Sequence, residues 1–396
     1  MRCSTFFYLI TAGMIFSNRC CLPESRLPLM RTSINLLVPA SDPSSTHKTS
    51  LLAPSPGEKK VMDHSQVFAV FDELVVSHEW KINPAHLKIM LDTLICAITQ
   101  KKTPREAWSS LIKVGEHGES VGIKVATEPG ALSGTHRELV EIIVKELRDA
   151  GVQSEKIMIW DRRRRDLEMA GYFQLTGVQL QWIEQGTGYD PEAPFFSPLI
   201  GQLVYGDLEF QESPHSFQDW IHHTQSQFSN ESHYALLLSR HIDKIINIPS
   251  LCDSIYSGVH GGLASLSLGV IDNWRRFTKS PYFGDPAIGE IYASEIIAPK
   301  VILTLMDGIA LEYAGGPGPN PSHTIPYGAL FASYDPVAID FTAAHLIDEQ
   351  RCIAHLPKLA GKESHLQSAE AAGLGNAREE KIELISLRLQ SLKGRM

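Results

Sequence analysis

The segment from Val121 to Asp161 constrains this chain more than any other. It reads VGIKV, then THRELVEIIVKELRDAGV from Thr135, then KIMIWD ending on Asp161. A short β-rich run, an amphipathic helix closed by Gly151 and a second strand make a β-α-β unit. Two strands joined by a helical crossover lie parallel in one sheet, and a parallel sheet is covered by helices on both faces. Further along, KIINIP from Lys244 has the composition of a buried central strand, and an apolar run from Val301 ends on Asp307. The fold expected is α/β: a mainly parallel sheet with helices on both faces, an arrangement compatible with two lobes around a cleft. In open sheets of this kind the ligand site lies beyond the carboxyl ends of the strands.

Three segments are expected. Residues 1–60 form a signal-like, low-order start, residues 61–115 a helical lead-in, and residues 116–390 the α/β domain. Arg2 precedes an apolar run, 6–16, too short to span a bilayer and similar to the core of a secretory signal; a Ser, Pro and Thr-rich stretch follows. Two readings stay open: export to the periplasm or outside, or a mis-assigned start, with Met30 or Met62 as the real beginning of a cytoplasmic protein. Val67, Val70, Phe71, Leu74 and Val75 recur at helical spacing, and residues 84–98 do so again, which predicts an N-terminal helical pair. Residues 186–210, rich in Gly and Pro, read as an excursion near the sheet edge or over the cleft with at most short strands.

Composition excludes several classes. With 396 residues and 43% hydrophobic content the chain has material for a core of normal size, while a net charge of −9 argues against a nucleic-acid partner. The lone basic run Arg162 to Arg165 reads as a solvated helix face. None of Cys3, Cys20, Cys21, Cys96, Cys252 and Cys352 stands in a C-x-x-C pair, so no cysteine-ligated iron–sulfur cluster is expected; Cys252 is the one to watch. His215, His222, His223 and His233 match no metal-ligating spacing and read as solvent-facing. GVHGGLASLSLG, from Gly258, lets backbone approach closely but fits no phosphate-loop pattern. No transmembrane span is expected. A small-molecule ligand is the expected partner, the cofactor is unassigned with a divalent metal left open, and oligomeric state is not legible.

Lys124 lies inside an apolar strand, where a buried lysine needs a partner; burial would fit it for acid–base or Schiff-base work, against the plainer reading of a snorkelling edge lysine. Thr135 reads as an N-cap with Glu138 completing a capping box, leaving His136 as a proton carrier if it faces the cleft. Asp161 and Asp307, at strand ends, are either paired carboxylates, a metal site if joined by Asp340, or loop caps. Asp253 is a further catalytic candidate. Gly315 and Gly316 supply a turn whose N–H groups could meet an anion, and Asn273 and Arg275 are candidate cofactor contacts. Asp335, before Pro336, is a helix N-cap.

Taken in order, VGIKV, THRELVEIIVKELRDAGV, residues 157–162, KIINIP, LTLMDGI at Leu303, the GGP at Gly315, DPVAID at Asp335 and GLGNAREEKIELI from Gly373 resemble the family called domain of unknown function 362. The resemblance covers roughly residues 121–385 and implies an α/β protein, often exported. Ferredoxin-type cysteine motifs found in some members are absent, and the family implies no single reaction. Where that family has Lys-Pro-Asn, this chain has Lys124-Val125-Ala126; where it has Leu-Lys-x-His, this chain has Leu251-Cys252-Asp253-Ser254. A lysine–asparagine pair is also missing near residues 266–269.

Two function classes follow. One is a small-molecule enzyme of oxidoreductase or isomerase type, its cleft lined by Lys124, His136, Asp161, Asp253 and Asp307. The other is a non-catalytic exported binding or scaffold protein that has lost basic cleft residues. Convergence of Lys124, Asp161, Asp253 and Asp307 on one pocket favours the first; their scatter favours the second.

Overall fold

A computed structural model describes residues 63–115, 118–203 and 228–389. The signal-like run and the stretch after it lie outside these residues, as do His215, His222 and His223. The strands are β1 (Ser65–Phe71), β2 (Val121–Val125), β3 (Ile157–Arg163), β4 (Gln179–Glu184), β5 (Tyr189–Gln202), β6 (Phe228–Ala235), β7 (Lys244–Ile248), β8 (Ser250–Ser254), β9 (Gly258–Val259), β10 (Val301–Glu312), β11 (Thr324–Ser333) and β12 (Ile382–Arg388). The helices are α1 (Pro84–Thr99), α2 (Pro104–Leu111), α3 (Gly130–Ser133), α4 (Arg137–Asp149), α5 (Arg164–Met169), α6 (Gly262–Ser265), α7 (Ala287–Tyr292), α8 (Pro336–Ile353) and α9 (His365–Ala371).

The main sheet runs β12-β1-β11-β10-β7-β2-β3-β4, with β8 and β9 branching from β10. β10, β7, β2, β3 and β4 are mutually parallel, and β11 runs against its neighbours β10 and β1. This is the expected α/β architecture. Two apolar clusters fill its two faces: Leu87, Leu91, Leu94, Trp108, Leu139 and Ile143 from α1, α2 and α4 on one, and Ile291, Val337, Ile347 and Leu366 from α7, α8 and α9 on the other. At about 25 cal/mol per Å² of apolar surface, burial on both faces is the main force holding the sheet together.

The first expected helix is a strand. Val67 and Ala69 of β1 enter one cluster while Phe68 and Val70 enter the other. A strand buried on both faces carries consecutive apolar residues, and some of these fall at helical spacing without any helix being present. The N-terminal helical pair exists one step later, as α1 and α2, capped by Asn83 and Thr103 with Pro at the first turn of each. Residues 186–210 also differ from expectation: β5 is fourteen residues long and pairs with β6.

Candidate functional site

Three polar clusters occupy the carboxyl side of the parallel strands. The first begins on β2. Lys124 pairs in register with Trp160 of β3, which brings Asp161, one residue on, within reach of its ammonium. Lys124 Nζ lies 2.7 Å from Asp161 Oδ1 and 2.8 Å from the Val125 carbonyl, with the Trp160 ring centroid 5.5 Å away. The lysine is 2% exposed. β2 is flanked by β7 and β3, so the snorkelling-edge reading fails for lack of an edge. Asp161 also accepts Thr127 N–H at 2.8 Å, the Thr127 hydroxyl at 2.6 Å and the Arg162 N–H at 2.7 Å. Burial pushes its carboxyl pKa up, but the Lys124 charge and these hydrogen bonds outweigh that, and the pKa is lowered. A lysine ammonium has three donors; two of those on Lys124 are committed.

His260 lies within electrostatic range of this pair and was missed in the sequence. It lies between β9 and α6, in a glycine-rich stretch. Its imidazole makes no hydrogen bond among the described residues, and burial, then the positive charges of Lys124 and Arg162, hold its pKa down to about 4. It is therefore neutral at pH 7. Arg162 is buried, donates to the carbonyls of Leu268 and Ile271, and stacks 4.8 Å from the Trp274 ring centroid. Arg163 pairs with Glu184, Asp166 and Glu128. The basic run is thus half strand and half helix, and the solvated-face reading is corrected for Arg162.

The second cluster is His136 with Asp307. Asp307 Oδ2 accepts the His136 N–H at 2.8 Å and lies 2.9 Å from its Nδ1. Here Asp307 performs the task expected of Glu138. His136, not Thr135, is the N-cap residue of α4, because Thr135 Oγ1 is spent bridging strand ends: it accepts the Ala126 N–H and donates to the Ile248 carbonyl. Burial lowers the His136 pKa, but Asp307 and the Leu132 carbonyl more than reverse it, so the imidazolium is favoured. With its nitrogens engaged in this way, His136 is a buried clamp rather than a free proton carrier. Asp307 is not at a strand end. β10 shifts register between Gly308 and Ala310 and continues to Glu312.

The third cluster surrounds Asp253. Gly315 N–H donates to its Oδ2 at 3.1 Å and Gly316 N–H to its Oδ1 at 2.8 Å, with Arg351 3.6 Å away. The glycine amides do meet an anion, but it is the chain's own carboxylate.

The five catalytic candidates therefore divide among three partner sets. Asp161 and Asp307 do not share one: the first is taken by Lys124 and Thr127, the second by His136 and Ile309 N–H. Asp340 accepts Gly262 and Leu263 N–H at 2.7 and 2.9 Å, so the three-carboxylate metal site does not assemble. Asn273 donates to the carbonyls of Ser229 and Glu231, tying β6 to the loop before Trp274, and Arg275 stacks on Trp274 at 5.0 Å. His233, read as solvent-facing, is buried between Glu231 and Asp272. Two surface hollows, one between residues 73–84 and 326–328 and one between α4 and residues 174–178, are lined by none of the candidates.

Residues 219–345 match the model of the family described as Domain of unknown function (DUF362). A solved protein from Thermotoga maritima is 15% identical over 68% of this chain and 58% of its own, with a TM-score of 0.33. The chain spans little more than half of that protein, and a likeness this remote carries no argument about the site. No curated protein matches the sequence. Among the described residues no helix is long and apolar enough to cross a membrane.

Proposed function

We propose that this chain is a small-molecule enzyme working by proton transfer at the carboxyl ends of β2 and β3, with an anionic substrate. The observation that carries this reading is the half-buried His260 imidazole, without a hydrogen-bond partner among the described residues, beside the buried Lys124–Asp161 pair. Most polar groups in a purely structural core are paired. Here one imidazole and one lysine donor are left over on neighbouring strands and loops. Lys124, its charge balanced by Asp161, serves as a fixed donor to an anion or a developing negative charge. His260 is a weak base in the free protein because burial, and after it the charges of Lys124 and Arg162, disfavour its protonated form. An anionic ligand offsets those cations, raises the imidazole pKa toward neutrality and readies it to take a proton.

The second reading, a non-catalytic binding protein, is favoured by the division of Lys124–Asp161, Asp307 and Asp253 among separate partner sets; the first rests on His260, which was not among the five candidates. One experiment separates the two. Small carboxylic acids with an acidic C–H are incubated with the protein in D2O, with and without added divalent metal, and exchange at carbon is followed by NMR. The enzyme reading expects exchange that disappears in Lys124→Met and His260→Gln. Binding without exchange would overturn it in favour of a binding protein. Export belongs to the same proposal, supported by the apolar run 6–16; recovery of the intact chain in the cytosol alone would contradict it.

A further inference from the structure

We infer that Cys252, Asp253 and Glu312 form a binding site for a divalent transition-metal ion of the zinc type, independent of the Lys124–His260 site. Cys252 of β8 pairs in register with Glu312 of β10, and one ligand atom from each of the three side chains lies within 4.8 Å of the others. A zinc-type ion holds thiolate sulfur at about 2.3 Å and carboxylate oxygen at about 2.0–2.2 Å. Closing the three ligands around it needs only a modest contraction. All three are buried: Cys252 and Glu312 are 0% exposed and Asp253 3%.

The independent sign of a missing ligand is Glu312. Its Oε2 accepts the Ser133 hydroxyl, whereas Oε1 is buried with no hydrogen bond of good geometry, the Cys252 thiol and the Asn320 backbone N–H being polar groups near the carboxylate. A buried carboxylate oxygen in that position calls for a proton or a cation. Without a cation three acidic side chains crowd one buried space, a ligand atom of each within 4.8 Å of the others. A dication offsets the charge of a thiolate and two carboxylates, and Arg351, 3.6 Å from Asp253, balances the one negative charge that remains.

The surroundings are also built for orientation. Gly315 and Gly316 N–H groups fix the Asp253 carboxylate, as outer groups commonly do for metal ligands. A side chain at Gly316 would put its Cβ 2.3 Å from the Asp253 carbonyl oxygen, 2.7 Å from Cys252 Sγ and 2.8 Å from Asp253 Oδ1. Only glycine lets the backbone close over the three ligands. One thiolate with two carboxylates selects Zn2+, Co2+ or Fe2+ over Mg2+ and Ca2+, which take oxygen alone.

The test uses the full-length protein stripped with chelator and titrated with Co2+ and Zn2+. We expect one Co2+ per chain, a cobalt–thiolate charge-transfer band that Zn2+ displaces, proton release on binding, and a rise in unfolding temperature with Zn2+. Cys252→Ser should abolish the band. Glu312→Gln, near-isosteric, should stay folded by circular dichroism and weaken binding at least tenfold. A folded wild-type protein showing no thiolate band, a band that survives Cys252→Ser, or Glu312→Gln binding as tightly as wild type would each overturn the proposal.

Discussion

Breaking the Lys124–Asp161 pair from either side should destabilise the protein strongly, and breaking it from both sides should cost less than the two effects together. Removing one partner of a buried ion pair strands the other charge, at about 3–5 kcal/mol. Lys124→Met falls at the low end, about 3 kcal/mol by that rule, because Asp161 keeps Thr127 N–H, the Thr127 hydroxyl and Arg162 N–H. Asp161→Asn is worse, about 4 kcal/mol, since the buried ammonium loses its counter-charge and keeps only neutral acceptors, the Val125 carbonyl and the amide oxygen that replaces the carboxylate. In the double variant neither charge remains. We expect a loss of about 4 kcal/mol in place of the roughly 7 that independent effects would give, a coupling of about 3 kcal/mol. Urea unfolding followed by tryptophan fluorescence and circular dichroism measures all four corners of the cycle. Single losses under about 1 kcal/mol that add within about 0.5 kcal/mol would refute the reasoning, because they would describe a solvated surface pair.

Other outcomes follow from the same contacts. Asp335 caps α8 through the N–H groups of Val337 and Ala338 and also holds the Ser65 hydroxyl and the Asn376 N–H. Asp335→Ala should lower the unfolding free energy by about 2–4 kcal/mol, a lost cap plus stranded buried donors, measured by denaturant titration. Asp340 is fully buried on two N–H groups, and burial pushes its pKa up to about 7 from an ordinary 3.8. The folded state then holds its proton more tightly than the unfolded state, so this group's contribution is fully present below about pH 4 and is lost as the pH rises through about 7. The difference in stability between wild type and Asp340→Asn should therefore shift against wild type across that window; a pH-independent difference would contradict it.

What the sequence made legible was mostly local. Asp335 was readable as a cap because the cap, Pro336 and the helix are adjacent, and the Lys124–Asp161 neighbourhood was readable because a β-α-β unit sets two strands side by side in near-fixed register. Contacts between distant segments were not. Asp307 reaches back 171 residues to cap α4 at His136, and no spacing rule announces that; the nearer Thr135 and Glu138 fitted a capping box better on paper. β1 was misread because burial on both faces erases the alternation that marks a strand. His260 escaped notice because its importance comes from charges on β2 and β3 rather than from its neighbours in the chain.

A neutral His260 imidazole under the influence of Lys124 is tested most directly by its own titration. The His260 ring, assigned by the resonance lost in His260→Gln, is followed by NMR across the acid range in wild type and in Lys124→Met. We expect a pKa of about 4 in the free protein, moving up when Lys124 is neutralised or when a small carboxylate binds. An imidazole that titrates at about 6.5 in wild type, indifferent to Lys124 and to added carboxylates, would contradict it.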